Sequence, residues 1–390
     1  MNGTFKTFFE LLKSGLSGVK VNVNPEVDWK VIYSVALEHE VIAIVYAGIL
    51  NSQIEISKEL ADKFEASVTK YIMNDFMLES GFKRICSAFD ENGIDYLPVK
   101  GILMRDLYPK PEMRPMGDID ILIKTEQYKK IDGVMKNIGF SLDTESDHEY
   151  VYSDSGTKTE LHKSLIPTYI KDYYEYFKNG WDKAKQQNNH FYRLSDDDEF
   201  IYIFCHLTKH YRDGGINILH FADVWIYLKE KNINLDYVCA ELEKMNILKF
   251  YNNVLKTAKS WFEGGEQDEM TEFITKRVVE SGCWGDNFRK TQAGLLRDTN
   301  TNKKNLKLFK IRQFIFPSLK GMQQKYPVLK KAPYLLPAFW FVRMFESVKG
   351  FNKKVKRFES NVKLATEDNV SAYRQELNYV GLDYSFNDEE

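Results

Sequence analysis

Apolar residues recur every three or four positions through most of the first 92 residues, which is the spacing of an amphipathic helix. Residues 57–92 are expected to form one long helix, because this spacing persists until Asn92-Gly93, a typical helix end. A shorter helix is expected over about 29–39, with Pro25 or Glu26 in its first turn. The N-terminal part of the chain is therefore predicted to be helical.

The pattern changes after Gly93 to short apolar or alternating runs bounded by turn residues, which is typical of strands. The hexapeptide Asp118-Ile-Asp-Ile-Leu-Ile123 is the most strand-like of these runs. Two further runs flank Asp154-Ser-Gly156 and predict a hairpin. The expected elements are strands at 94–99, 118–123, 148–153 and 158–162, and helices at 102–108 and 125–137.

Helical spacing returns after residue 195. Asp196, Asp197 and Asp198 are expected to provide the N-cap and the acidic first turn of a helix, and a second helix is expected over 216–230. Further helices should continue to the end, broken at Pro317, Pro327, Pro333 and Pro337. The pattern predicts an α+β protein, with a central unit of strands and helices between helical regions. Its parts are a helical N-terminal segment (1–92), an α/β domain (93–195) and a helical C-terminal domain (196–390).

Composition excludes several classes of protein. The 390 residues include 26 Phe, 23 Tyr and 6 Trp, so the chain has ample surface to bury and is not disordered throughout. Cys86, Cys205, Cys239 and Cys283 are scattered and suggest neither a zinc site nor a disulfide framework. No signal peptide and no apolar run of 18 residues is found, so we expect no transmembrane segment. A cytoplasmic location is expected, with peripheral contact at the inner membrane surface as an alternative.

Positive charge is concentrated in the segment 303–357, which has 15 lysines and arginines and a single acid, Glu346. Aromatic residues are interleaved with these lysines. Three interpretations remain open. The segment is a helical layer with solvated lysines, a surface for an anionic substrate or nucleic acid, or a surface that rests on an anionic membrane.

Three carboxylates are candidates for metal chemistry. Asp118 and Asp120 lie two residues apart on a predicted strand, so their side chains share one face and repel each other unless a cation lies between them. Mg²⁺ is the natural occupant because it prefers carboxylate and phosphate oxygens. Glu160, on a later predicted strand, could complete the site as a ligand or as a general base. The alternatives are an exposed edge strand and a surface hairpin residue.

Two cationic positions precede these acids. Lys100-Gly101 opens a predicted short helix, where glycine permits close approach of the backbone and a helix N-terminus favours phosphate. Arg114 lies on the following loop. It could bind a triphosphate oxygen, or it could hold the loop by pairing with an acid.

The order strand, Lys100-Gly101, helix, then R-x-x-G-D-I-D-I-L-I and E-L-H resembles the DNA polymerase β-like nucleotidyltransferase superfamily. It resembles more narrowly the bacterial family called uncharacterised nucleotidyltransferase. The superfamily usually has Gly-Gly or Gly-Ser where this chain has Lys100-Gly101, but Lys-Gly is the norm in the narrower family. The third acid is more often Asp than Glu.

The resemblance implies a small mixed sheet of the nucleotidyltransferase type. It implies transfer of a nucleoside monophosphate from an NTP, with ATP favoured, to an unidentified hydroxyl acceptor, with release of pyrophosphate. Asp118, Asp120 and Glu160 would be the catalytic and Mg²⁺ (or Mn²⁺) ligands, and Lys100, Gly101 and Arg114 would contact the nucleotide. The acceptor is left open among a sugar, a protein and an RNA.

His206, His210 and Asp223 resemble the narrower family's helical H-x-x-x-H…L-x-x-x-D stretch beside the nucleotide cleft. They could contact the nucleotide, or the histidines could bind a metal for which Asp223 is only a guess as the third ligand. They could also form a buried histidine–aspartate network between the helical and α/β domains. His162 is expected in the same network or on a phosphate.

A different class of function is also carried forward, a catalytically inactive binding module. Such a module would keep the fold and hold RNA or a membrane-associated partner through the basic segment 303–357. The intact set of three acids favours the enzyme, because a binding module does not need clustered carboxylates.

Overall fold

The computed structural model describes residues 3–24, 26–168, 170–282, 285–298, 305–346 and 351–383. It shows a seven-stranded mixed sheet with helical regions before and after it in the chain. The α+β prediction is confirmed. The division into three domains stays a prediction.

The N-terminal region is helical as predicted, with α1 Gly3–Ser17, α2 Trp29–Glu38, α3 Ile42–Asn51 and α4 Lys58–Glu91. The long helix has the expected bounds, since Ser57 accepts a hydrogen bond from the Leu60 amide at its start and Asn92 is its C-cap. The expectation for Glu26 is wrong. Helix α2 begins at Trp29, because the Asp28 side chain accepts the free amide hydrogens there. Pro25 lies outside the described residues.

The sheet has the strand order β3-β4-β5-β2-β1-β7-β6. Strand β2 pairs parallel with β5 and antiparallel with β1, and β1 pairs parallel with β7. The other neighbours are antiparallel, including the predicted hairpin of β4 and β5. The strands are β1 Tyr96–Val99, β2 Ile119–Ile123, β3 Ser141–Glu145, β4 Glu149–Ser153, β5 Lys158–His162, β6 Lys185–Asn188 and β7 Phe191–Arg193.

The helices after β1 include the two predicted between strands. The helix expected over 102–108 is α5 followed by a 3₁₀ turn, Arg105–Leu107, and the helix expected over 125–137 is a 3₁₀ turn followed by α6. The α-helices are α5 Gly101–Met104, α6 Tyr128–Asn137, α7 Lys171–Phe177, α8 Asp196–Arg212, α9 Ile218–Glu230, α10 Leu235–Lys244, α11 Leu248–Phe262, α12 Glu269–Ser281, α13 Asn287–Asp298, α14 Leu306–Ile315, α15 Leu319–Lys325, α16 Val328–Lys331, α17 Leu336–Glu346, α18 Phe351–Leu364 and α19 Glu367–Val380.

Two details of the C-terminal helices correct the sequence analysis. The N-cap of α8 is Ser195, whose hydroxyl accepts from the Asp198 amide, while the three aspartates occupy the first turn. Pro337 does not break a helix, because it lies in the first turn of α17, where its missing N–H costs nothing. No helix of the described residues is long and apolar enough to cross a membrane. Cys86, Cys205 and Cys239 are free thiols, and Cys283 lies outside the described residues.

The sheet separates two apolar cores. Ile119, Ile121 and Ile123 of β2 point into the smaller core, beneath α4 and α6. Leu122 points into the larger core, which is built from both the N-terminal and the C-terminal helices. Because side chains alternate along a strand, Asp120 lies on the same face as Leu122. Asp120 therefore lies on the face of the sheet that is turned toward the larger core.

Candidate active site

The acids predicted from sequence meet because of the register between two parallel strands. Asp120 of β2 is the direct partner of Glu160 of β5, and Leu122 is the partner of His162. Asp118 directly precedes β2 and lies two residues before Asp120. The three carboxylates therefore converge at one end of the sheet, on the face turned toward the larger core.

They line a cavity of about 440 Å³ between the sheet and α8. The cavity has charges of both signs as well as an apolar wall made by Leu165, Ile166 and Pro167. Every sequence-predicted site residue except Asp223 is in its lining, namely Lys100, Gly101, Arg114, Asp118, Asp120, Glu160, His162, His206 and His210.

Asp120 is the most deeply buried of the three acids, and its Oδ1 has two partners. The Lys100 Nζ and the His162 Nε2 each lie 2.6 Å from this oxygen. Burial alone would raise the pKa of Asp120, but Lys100 and His162 hold that pKa well below its usual range. Asp120 is therefore ionised, with its charge balanced mainly by Lys100.

Asp118 and Glu160 share a different cation. The Lys158 Nζ lies 3.0 Å from Asp118 Oδ2 and 2.5 Å from Glu160 Oε1. The Lys158 side chain is 45% exposed, so it can leave this position at little cost. The ammonium group of Lys158 lies between these two carboxylates, so the site accommodates a positive charge there.

Arg114 is held by Asp223. Its Nε and Nη2 each donate to the Asp223 carboxylate at 2.9 Å, and the Tyr108 hydroxyl donates to the same carboxylate at 2.7 Å. Burial by itself would lower the pKa of Arg114, but Asp223 raises it above its ordinary value. The alternative that Arg114 pins its loop by pairing with an acid matches this geometry, and Asp223 is that acid.

Comparison with known proteins assigns the chain to a protein family. The family model described as uncharacterised nucleotidyltransferase matches residues 25–263, which is more than half of the chain and includes the whole cavity lining. The chain belongs to this nucleotidyltransferase family. No curated protein and no solved structure matches it.

Membership of a nucleotidyltransferase family implies an NTP substrate and a divalent metal in general terms. The donor set fits a metal of the oxygen-preferring class, because Asp118, Asp120 and Glu160 all present carboxylate oxygens to one cavity. Ligand atoms of Asp120, Glu160 and His162 lie within 4.8 Å of one another. The catalytic roles of the acids in this nucleotidyltransferase stay predictions.

The Lys-Gly turn is shaped by the protein around it. Lys100 has φ 57° and ψ −128°, a conformation that side-chain-bearing residues rarely adopt. Its side chain forms the ion pair with Asp120. A Cβ on Gly101 would lie 2.8 Å from Met116 Cγ, so only glycine fits without a shift. Helix α5 has four residues, so its dipole is a smaller source of phosphate attraction than the sequence suggested.

The predicted histidine–aspartate network has different members in the structure. His206 Nε2 lies 3.1 Å from His210 Nε2, and the third ring against them is His220. Asp223 bonds Arg114 and Tyr108 instead, and His162 bonds Asp120. Sequence spacing paired the two histidines on α8 correctly, but it could not show which residue of α9 faces them.

Several cavity residues were missed by sequence reasoning, above all Lys209. Its ammonium has no ion-pair partner among the described residues, and burial, followed by the charge of Lys100, lowers its pKa. Helical spacing was the available signal, because Tyr202, His206 and Lys209 lie on one face of α8. The other titratable residues missed in the lining are His148, Glu149 and Tyr202.

Proposed function

We propose that this protein transfers a nucleoside monophosphate from an NTP, with ATP favoured, to a hydroxyl acceptor, and that it releases pyrophosphate. The observation that carries the proposal is the meeting of Asp118, Asp120 and Glu160 in one cavity. Three carboxylates at two paired strands converge there. The ammonium groups of Lys100 and Lys158 pair with these acids, and that of Lys209 has no carboxylate partner among the described residues. This is the pattern that the polymerase β-like superfamily resemblance implies, and it supports assignment to that superfamily.

Asp118, Asp120 and Glu160 would hold Mg²⁺ (or Mn²⁺). When bound, the ion stabilises negative charge on the phosphate oxygens. Lys158 must leave Asp118 and Glu160 for the ion to reach them, and its exposure makes this exchange inexpensive. Lys100 keeps Asp120 ionised and oriented, and the His162 Nε2 donates a hydrogen bond to the same oxygen.

Glu160 is the proposed general base. It would accept the proton of the acceptor hydroxyl as that oxygen bonds to the α-phosphorus, while the bond from this phosphorus to pyrophosphate breaks. Lys100, Gly101 and Arg114 would contact the phosphates. The unpaired ammonium of Lys209 is suited to the same task, because it has no carboxylate partner among the described residues.

We propose that His206 and His210 contact the nucleotide, because both line the cavity. Asp223 does not line it and is proposed to position Arg114, to which it is hydrogen-bonded. The acceptor is proposed among a sugar, a protein and an RNA. An anionic partner for the basic segment 303–357, and a cytoplasmic location with or without contact to the inner membrane surface, also stay proposals.

The deciding experiment follows labelled ATP, CTP, GTP and UTP into acceptors of a cell extract, with Glu160→Gln as the variant. Removal of a general base typically slows transfer by about 10²–10⁴-fold. NTP binding should survive, because Asp118 and Asp120 still hold the metal. Glu145→Gln is the matched control, since Glu145 lies on edge strand β3 and pairs with Lys163 and Lys330 outside the cavity.

Unchanged transfer by Glu160→Gln would contradict the assigned base. Mg²⁺-dependent NTP binding without transfer to any acceptor would favour the alternative, a binding module.

A further inference from the structure

The helical wall of the cavity contains a cluster of three histidines from two helices. His206 and His210 lie one turn apart on α8, and His220 lies in the first turn of α9. One nitrogen from each ring falls within 4.8 Å of the others. The family motif H-x-x-x-H…L-x-x-x-D specifies His206 and His210 but not His220.

The spacing of these nitrogens is close to that of metal ligands. Two nitrogen ligands of a tetrahedral zinc ion, each about 2.0–2.1 Å from the metal, lie roughly 3.3 Å apart. His206 Nε2 and His210 Nε2 lie 3.1 Å apart. The rings of His210 and His220 have centroids 4.8 Å apart, and the nitrogen of the third ring lies within 4.8 Å of the other two.

The tautomer of His220 is fixed from outside the cluster. Asn217 donates its amide Nδ2 to Glu40 Oε2 at 2.9 Å, so its Oδ1 must face the other way. This oxygen accepts from the His220 backbone amide and is hydrogen-bonded to the His220 Nδ1. His220 Nδ1 therefore carries the hydrogen, and Nε2 keeps its lone pair. Metal-binding histidines are commonly oriented by such an outer hydrogen bond.

Burial favours the neutral form of all three rings, which is the form that a metal requires. Burial lowers the pKa of His206 and His210 well below the ordinary value, and it lowers that of His220 to about 3. Lys100 and Arg114 also act on His220, but each is paired with its own carboxylate, Asp120 and Asp223.

We propose that His206, His210 and His220 form a binding site for a zinc-class transition-metal ion, separate from the three carboxylates. Imidazole nitrogens suit zinc, whereas carboxylate oxygens suit Mg²⁺, so the two sites select different ions. Three protein ligands leave one position of a tetrahedral ion open for water or an anion. Because His206 and His210 line the cavity, the ion adds positive charge to the wall that already contains Lys209.

The test uses the full chain without a histidine tag, stripped with a chelator and titrated with Zn²⁺ against a chromophoric competitor. One equivalent should bind with a Kd below about 1 μM. His220→Gln and His206→Gln should each weaken binding at least 100-fold, and Asn217→Ala should weaken it by about 10–100-fold. His190→Gln is the matched control, because His190 pairs with Asp95 outside the cluster and should bind zinc like the wild type.

Two further results separate this site from the carboxylates. The Asp120→Asn variant should still bind one equivalent of Zn²⁺. Co²⁺ bound to the wild type should show the intense visible absorption bands of a tetrahedral site. Absence of a tight equivalent in the wild type would overturn the proposal. Zinc that survives His220→Gln but is lost in Asp120→Asn would also overturn it. If His220→Gln does not fold, the cobalt spectrum of the wild type decides the question.

Discussion

At the scale of single residues, the neighbours of Asp120 determine what its replacement does to the protein. Sequence alone places Asp118 and Asp120 on one face and predicts repulsion between them. In the structure Lys100 and His162 contact Asp120, while Lys158 bridges Asp118 and Glu160. The acids are therefore already compensated. Replacing Asp120 removes the counter-charge of a buried lysine, which outweighs any relief of repulsion.

Asp120→Asn is therefore expected to lose nucleotidyl transfer and also to lose stability. Removing one partner of a buried ion pair typically costs about 3–5 kcal/mol. The double variant Lys100→Met/Asp120→Asn removes both charges and should recover a large part of this free energy without recovering transfer. Urea denaturation of the wild type, both single variants and the double variant measures the coupling. A double variant no more stable than Asp120→Asn would contradict the buried-pair account.

The limits of sequence reasoning are visible at the same scale. Asp118, Asp120 and Glu160 could be predicted to share a site because strand alternation and the family resemblance both point to them. His220 could not, because its role depends on how α9 is rotated against α8. Lys158 could not, because its contact with Asp118 depends on the pairing of β5 with β2. Residues joined only through tertiary packing leave no local pattern in a sequence.

At the scale of elements, the strands predicted from sequence are the buried ones. Every residue of β2 is buried, and its apolar run was recognisable. Every residue of β3 and β6 is exposed, and their sequences, Ser-Leu-Asp-Thr-Glu and Lys-Gln-Gln-Asn, have no apolar alternation. These edge strands were missed because hydrogen bonds to a neighbouring strand, and not burial, define them. Helical spacing of apolar residues also does not guarantee burial, since Ile72 and Phe76 of α4 are exposed.

The bond between Arg114 and Asp223 joins the loop before β2 to helix α9, so it is an interaction between elements. Asp223→Asn should destabilise the protein by about 3–5 kcal/mol, because the buried guanidinium loses its counter-charge. Tyr108→Phe is the matched control, since it removes only the hydroxyl that donates to the same carboxylate, at a cost of about 1.5–3 kcal/mol for a bond to a charged group. Equilibrium unfolding in urea compares the two. Equal losses of unfolding free energy in Asp223→Asn and Tyr108→Phe would show that Arg114 pairs with another group when Asp223 is neutral.

At the scale of the whole molecule, the larger core joins the two ends of the chain. It contains Phe8 and Leu12 of α1 together with Tyr373 and Leu377 of α19. The family match ends at residue 263, yet α12 and α19 lie beyond it and contribute to this core. A long-range core of this kind is not predictable from local periodicity. It also means that a group buried in the folded protein affects the stability of the entire fold.

His39 is such a group, and it makes global stability depend on pH. Its side chain is fully buried, and burial lowers its pKa from 6.5 to about 4. The unfolded chain therefore binds a proton below pH 6.5 that the folded chain does not bind until about pH 4. Stability from this residue is present above pH 6.5 and is lost as the pH falls toward 4, by about 2 kcal/mol between pH 7 and pH 5.

The variant His39→Gln isolates this contribution, because it shares every other titrating group with the wild type. The difference in unfolding free energy between the two proteins should shift by about 2 kcal/mol in favour of the variant between pH 7 and pH 5. Urea denaturation at several pH values measures it. The buried volume of glutamine differs from that of histidine, but this changes the free energy equally at each pH and leaves the slope untouched. Parallel curves for the two proteins would mean that the pKa of His39 is the same in the folded and the unfolded chain, and that burial does not lower it.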